Sequence, residues 1–245
     1  MILARTPLPL QIRPSVSLQA WFDFSNTPSI QASGNDIVSV LNLAGNGNNL
    51  SQSVSANRPE TGLLTQNGLN VAKFTAANTE FLNFAFNTPM SVPFTIFLVG
   101  KSDSSVTSVQ NFIGRQTSTT PGQWTLRRET NGGVFNTFGY GTTGSSQSAF
   151  TSNNNGNIHT VTLGENIAIA YRVNNTLSGS SPVARAGYDN NVATGLCIGA
   201  PNPTGLASLE GWIGEVIIYN GILTSDEINA LNRNYLSPKW GITVA

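Results

Sequence analysis

Twelve carboxylates, one histidine and one cysteine are the first side chains to weigh for acid–base or nucleophilic chemistry. Glycoside hydrolysis needs two carboxylates, about 5–5.5 Å apart in a retaining enzyme and roughly 6.5–9.5 Å apart in an inverting one. Residues two or four apart on a strand share a face. The acids are Asp23, Asp36, Glu60, Glu80, Asp103, Glu129, Glu165, Asp189, Glu210, Glu215, Asp226 and Glu227. No two of them are two or four apart. Glu210 and Glu215 would lie on opposite faces of a regular strand. Asp226 and Glu227 belong to a helix cap. A pair contributed by separate strands has no support in the sequence. His159, as the single histidine, would have to serve any Ser-His-Asp triad. No Gly-x-Ser-x-Gly elbow accompanies it. One His and one Cys make a zinc site improbable, and no phosphate-binding Gly-rich loop ending in Gly-Lys-Ser/Thr is present. Cys197 lies in the apolar run Leu196-Cys197-Ile198, which suits a small core residue better than a reactive thiol. The expectation is a protein that is not an enzyme.

Sugar binding asks for less: a shallow groove, one or two exposed aromatics, and amide or hydroxyl partners. Trp124, Tyr140 and Tyr188 are candidate platforms, and Arg127 and Asn136 candidate hydrogen-bonding groups. Ordinary core packing is the competing explanation for each ring. Trp212 could also serve as a platform, but it and Trp240 stand in motifs that read as structural.

Strands must position any such groups. Leu18, Ala20, Phe22 and Phe24 alternate with Gln19, Trp21 and Asp23, the period of a strand with one apolar side. Phe94 to Gly100 is apolar enough for burial on both faces. Thr130-Asn131-Gly132-Gly133 signals a hairpin between the Trp124 and Phe135 runs. Ile158–Leu163 and Ile167–Val173 form a further pair. Thr224-Ser225-Asp226-Glu227 is a capping box that opens a helix bearing Ile228, Leu231, Tyr235 and Leu236 on one side, and Pro238 is expected to end it. That helix should pack on the sandwich edge.

Trp21-Phe22-Asp23, Gly45-Asn46-Gly47-Asn48, Arg58-Pro59, Asn67-Gly68 and Val71-Ala72-Lys73-Phe74 occur in a recognisable order. His159-Thr160-Val161-Thr162 follows, then Tyr171-Arg172-Val173-Asn174. Gly211-Trp212-Ile213-Gly214-Glu215-Val216-Ile217-Ile218-Tyr219-Asn220 and Ser237-Pro238-Lys239-Trp240-Gly241-Ile242 close the chain. This order resembles concanavalin A-like, laminin-G-type jelly rolls of the kind found in bacteriophage structural proteins. The resemblance implies an all-β sandwich of two antiparallel sheets with one short C-terminal helix. Asn174-Asn175 stands where that family has Asn-Gly. Asn accepts the left-handed conformation, so the turn should survive. Laminin-G-type domains often bind calcium, for which Asp189 and Asp36 are the candidates. Asx turns explain both as well, and no cofactor is otherwise expected.

Composition narrows the role. Only 10% of the 245 residues are charged, against roughly 25% in ordinary domains, and the formal net charge is zero. With no basic patch, nucleic acid is not an expected partner. Arg127-Arg128 is the one adjacent basic pair, read as a solvated strand end. No run reaches the roughly 20 apolar residues of a membrane span, and Pro7 and Pro9 break the N-terminal apolar stretch, so neither membrane nor secretion signal is expected. Residues 1–16 read as an extended arm and 17–245 as a single domain. These features lead to an expectation of a structural protein of a bacteriophage particle. It would be a capsid decoration (cement) protein or a head or tail fibre component. It would be assembled in host cytoplasm as a homo-oligomer such as a trimer, with the major capsid protein or tail proteins as partners. The alternative is a carbohydrate-binding module for a host-surface glycan.

Overall fold

Burial of Phe94–Gly100 on both faces demands a cover on each side of its sheet, and the fold supplies both. A computed structural model describes residues 16–84, 93–103, 105–115, 124–128, 135–139, 156–164, 167–180, 195–205 and 207–245. The expected arm, apart from Val16, lies outside them. The strands run β1 (Ser17–Asp23), β2 (Ile30–Ser33), β3 (Asp36–Val40), β4 (Leu50–Ser51), β5 (Thr65–Gln66) and β6 (Leu69–Asn70). They continue with β7 (Ala72–Phe74), β8 (Leu82–Phe84), β9 (Phe94–Ser102), β10 (Gln110–Arg115), β11 (Trp124–Arg128) and β12 (Phe135–Gly139). The last are β13 (Asn157–Gly164), β14 (Ile167–Val173), β15 (Thr176–Ser180), β16 (Leu196–Ile198) and β17 (Gly211–Asn220). Helix α1 (Ser225–Leu231), a π-helical turn (Asn232–Leu236) and helix α2 (Ser237–Trp240) follow.

One sheet has the order β1-β17-β9-β13-β14-β15, with β7 also on β17; the other runs β12-β11-β10-β16-β8-β4-β3-β2. All pairings are antiparallel. The two sheets make the concanavalin A-like jelly-roll sandwich that the sequence implies. Its core holds Phe22, Phe24, Ile96, Leu98, Phe112, Leu126, Val161, Ile198, Ile213 and Val216 between the sheets. Antiparallel sheets usually leave one face to water. Here the outer face of the first sheet carries Trp21, Phe97, Val99, Ile217 and Tyr219, and Ile228, Leu231, Leu236 and Trp240 of the helical segment cover them. The segment therefore lies across a sheet face rather than along the sandwich edge.

Local chemistry explains the terminal segment. Thr224 accepts the Glu227 N–H, and the Glu227 carboxylate accepts the Thr224 N–H, so both legs of the capping box are made. Pro238 does not end the helix. It lies within an unbroken helical run, where Leu236 and Ser237 are already helical, and the π-helical turn before it accommodates a residue with no N–H to donate. Gly241, at φ +63°, ends the segment instead. Asn174 and Asn175 take φ of +48° and +68° and close the β14–β15 hairpin, as the sequence suggested. Arg128 departs from its reading as a solvated strand end. It is buried, and its guanidinium donates to the Asp103 carbonyl. Cys197 is buried, and burial pushes its thiol up to about 12, which keeps it protonated and inert.

His159 faces the inter-sheet core. Its Nδ1 lies 2.7 Å from the Tyr171 hydroxyl, and its ring centre 5.2 Å from that of Phe112. Burial disfavours the imidazolium and pushes the pKa from 6.5 down to about 3. The folded state thus binds a proton less readily than the unfolded chain. The neutral ring imposes no penalty above 6.5, and stability falls as pH drops from there toward 3. The slope from this one group is about 1.4 kcal/mol per pH unit. Urea titrations of His159→Asn across that window should lack this component of the slope, whatever the variant's absolute stability.

Candidate functional site

A row of charge crosses the junction of the two sheets. Asp36 on β3 is bridged to Glu60, Glu60 to Lys73 on β7, Lys73 pairs with Trp212 on β17, and Trp212 with Lys101 on β9. Directly opposed residues of antiparallel strands share a face, so these five side chains line one side of the row. Lys73 Nζ lies 2.7 Å from Glu60 Oε2, with both side chains about a third exposed. That hydrogen bond is the main cause of the raised pKa of Lys73, with Glu80 and Glu210 adding smaller contributions of the same sign.

Two adjoining grooves meet at Lys73. One, of about 450 Å³, is lined by Asp36, Arg58, Glu60, Lys73, Asn78 and Glu80 among others. The second, of about 370 Å³, has Leu64, Lys73, Lys101, Asp103, Glu210 and Trp212 on its walls. Five of the chain's twelve acids thus border these grooves, in a protein otherwise poor in charge. Several of them are held in place. Glu80 accepts the Thr75 N–H at 2.7 Å and the Asn78 amide at 2.9 Å, while burial, the larger effect, raises its pKa. Glu210 accepts the Ala76 N–H at 2.9 Å. Asp103 accepts the N–H and hydroxyl of Ser105, each at 2.8 Å, which lowers its pKa. The grooves offer fixed acceptors, cationic donors and the partly exposed Leu64, a set able to hydrogen-bond the hydroxyls of a sugar. Among the described residues no group of three acid, His or Cys side chains is arranged to hold a metal ion. Asp36 lines a groove, and Asp189 lies outside the described residues.

Of the residues singled out for sugar binding, Trp124, Arg127 and Asn136 lie on the paired strands β11 and β12. Trp124 is only 4% exposed and packs in the inter-sheet core, its ring centre 5.2 Å from that of Phe94. It is a core residue and not a platform, because its strand parity turns it toward the opposite sheet. Arg127 is half-buried, and register places Asn111 opposite it on β10 and Asn136 opposite it on β12. Tyr140 and Tyr188 lie outside the described residues. The grooves at Lys73 were missed, because their acids are scattered from residue 36 to residue 210. The usable signal was scarcity: in a chain this poor in charge, Arg58, Glu60 and Lys73 beside turn residues are conspicuous.

A carboxylate pair from separate strands does exist. Asp23 on β1 and Glu215 on β17 are directly opposed. Lys239 Nζ stands between them, 2.7 Å from Asp23 Oδ2 and 2.8 Å from Glu215 Oε2. Glu215 also accepts the indole N–H of Trp21 at 2.7 Å, that of Trp240 at 2.8 Å and the Tyr235 hydroxyl at 2.7 Å. Its side chain has no exposed surface. Burial raises its pKa, and the Lys239 charge opposes that rise. With a cation between them, these acids are not placed to flank a glycosidic bond.

No protein-family model matches the chain, and none of the curated proteins does. Solved structures match its fold. Trypanosoma rangeli sialidase, in complex with the inhibitor DANA, aligns with a TM-score of 0.61 and 16% identity over 94% of this chain and 35% of the sialidase. The receptor-binding domain of botulinum neurotoxin C/D mosaic serotype aligns with a TM-score of 0.63 and 12% identity over 89% of this chain and 51% of that one. The chain therefore spans a third to a half of these two structures. Domain 4 of a GH43 extracellular arabinanase from Geobacillus stearothermophilus, in complex with arabinotriose, is matched almost entire. Its TM-score is 0.61 at 13% identity, over 89% of this chain and 99% of that domain. Identities this low show the fold alone.

Proposed function

We propose that this domain binds carbohydrate without cleaving it, and that the grooves meeting at Lys73 hold the saccharide. The observation that carries the reading is the set of fixed carboxylates and lysines lining open grooves of a size suited to small ligands. Glu60, Asp103 and Glu210 would accept sugar hydroxyls, and Lys73 and Lys101 would donate to them, while the buried Glu80 holds the Thr75–Asn78 turn in place. The arabinanase domain adds support, since this chain corresponds to nearly all of it and it was solved with arabinotriose. A binding role also fits the Asp23–Glu215 pair, whose carboxylates are both occupied by Lys239.

The test is a glycan array followed by calorimetry with arabino-oligosaccharides and any array hit. A hydrogen bond to a charged group contributes about 1.5–3 kcal/mol, so Lys101→Ala should weaken binding about tenfold or more. Arg127→Ala should leave it unchanged. The reverse pattern would move the site to the face of β10, β11 and β12. Failure to retain any glycan on a broad array would overturn the reading. A module of this kind borne on a virus particle would serve attachment to a host-surface glycan. That second reading rests on sequence features alone, the low charge, the Pro-containing arm and the C-terminal motifs; none of the three structures named above is a virion protein.

A further inference from the structure

We propose that Lys239 and Asp23 join in an intramolecular isopeptide bond, with Glu215 passing the protons. The inference is independent of sugar binding and starts from the placement of three groups. The Lys239 nitrogen is 2.7 Å from Asp23 Oδ2 and 2.8 Å from Glu215 Oε2, so nucleophile, electrophile and proton carrier are in contact. The side chains of Lys239, Asp23 and Glu215 are 16%, 11% and 0% exposed, so bulk water is largely excluded. Trp21, Trp240 and Tyr235 fix the Glu215 carboxylate through three donated hydrogen bonds. The ammonium lies 5.1 Å and 5.2 Å from the ring centres of Trp240 and Tyr235. Holding reactants this close converts a bimolecular condensation into a unimolecular one.

The other oxygen of Asp23 is also engaged. Oδ1 accepts the Ser25 N–H at 3.0 Å and the Ser25 hydroxyl at 2.6 Å. Two donors aimed at the oxygen on which charge develops are the arrangement that stabilises a tetrahedral intermediate. The steps balance without any co-reactant. Lys239 gives one proton to Asp23 Oδ2 by way of Glu215, leaving a neutral amine and a neutral acid. The amine lone pair attacks Asp23 Cγ, and the carbonyl electron pair moves onto Oδ1. Glu215 takes a second proton from the nitrogen and delivers it to Oδ2. The electron pair on Oδ1 returns to re-form the carbonyl as the Cγ–Oδ2 bond breaks, water leaves, and Glu215 is a carboxylate again. The amide replaces one buried carboxylate and one buried ammonium, and Glu215, left without that cation, stays held by the three donors from Trp21, Trp240 and Tyr235. The bond would tie the first strand to the C-terminal segment across a separation of 216 residues, closing nearly the whole domain into one covalent loop.

Intact-mass spectrometry of the denatured full chain reads the result. The expected mass is one water below that of the sequence, with a cross-linked peptide pair carrying Asp23 and Lys239 after proteolysis. Asp23→Ala and Lys239→Arg should recover the full mass for their sequences. Folded Glu215→Gln should stay unlinked. A wild-type chain that keeps its full mass after prolonged incubation in the folded state would sink the proposal, even if the variants did not fold. So would a water loss that persists in Asp23→Ala or maps within a single peptide.

Discussion

Before the Asp23–Lys239 bond has formed, Lys239→Met should cost the fold about 3–5 kcal/mol relative to the unlinked wild-type chain at neutral pH, because it leaves a buried carboxylate without its cation. Glu215 has no exposed surface, and Asp23 stands directly opposite it. Lys239 is the ammonium that both contact. Its removal juxtaposes two like charges under a helix, and the indole and phenol donors cannot supply the lost charge. The deficit should depend on pH in a defined direction. Burial already raises the Glu215 pKa, and Lys239 opposes that rise, so the variant's value must go higher still. A carboxyl whose folded pKa exceeds its unfolded one favours the folded state most when protonated, and that contribution is lost as pH rises through the folded value. The variant should therefore approach wild-type stability below the ordinary glutamate pKa of about 4.3 and fall away above it. Urea unfolding of the variant and of wild-type chain that still has its full, unlinked mass checks the sign across this range. A deficit that is constant with pH would show that lost packing of the lysine stem, not charge, dominates.

Gly211→Ala should cost about 3–5 kcal/mol by adding backbone strain to a steric clash. Gly211 opens β17 at φ +150°, where side-chain-bearing residues are rare. A Cβ there would lie 2.0 Å from the Lys101 carbonyl oxygen, which is backbone and cannot swing aside. The position is opposite both Ser102 on β9 and Phe74 on β7, so relief would require opening the pairing beside Lys73 and Lys101. Gly34→Ala is the control. It has φ +64° but no atom within 4 Å of the added carbon, so only the left-handed strain of about 1–2 kcal/mol applies. Equal losses in the two variants would refute the steric account.

Much of the architecture was legible because it depends on local period and turn chemistry. Alternation in Leu18–Phe24 located β1, the apolar run at Phe94 located β9, and Thr224 with Glu227 located α1. Asn174-Asn175 announced its hairpin because Asn tolerates positive φ. The candidate site was less accessible. Glu215 could not be paired by counting. Gly214 sits at a register shift in β17, which breaks the two-residue parity. A Cβ on Gly214 would fall 2.7–3.0 Å from the Trp240 ring, so the glycine also lets that indole reach the backbone. Pro238 does not end the helix because the backbone before it widens into a π-helical turn, which its own sequence neighbours do not announce.

By itself, then, the sequence located the long strands, the Asn174-Asn175 turn and the cap of the helix, which follow from neighbours within a few residues, and its motif order implied the sandwich through resemblance. The tertiary structure alone decided that Asp23, Glu215 and Lys239 meet, that Arg128 and Trp124 are buried, and that Asp36, Glu60, Lys73 and Lys101 share one row. These are contacts between distant strands, fixed by register and by which sheet face the C-terminal segment covers. A strand's own pattern says which residues share a face, but not what will lie across from them.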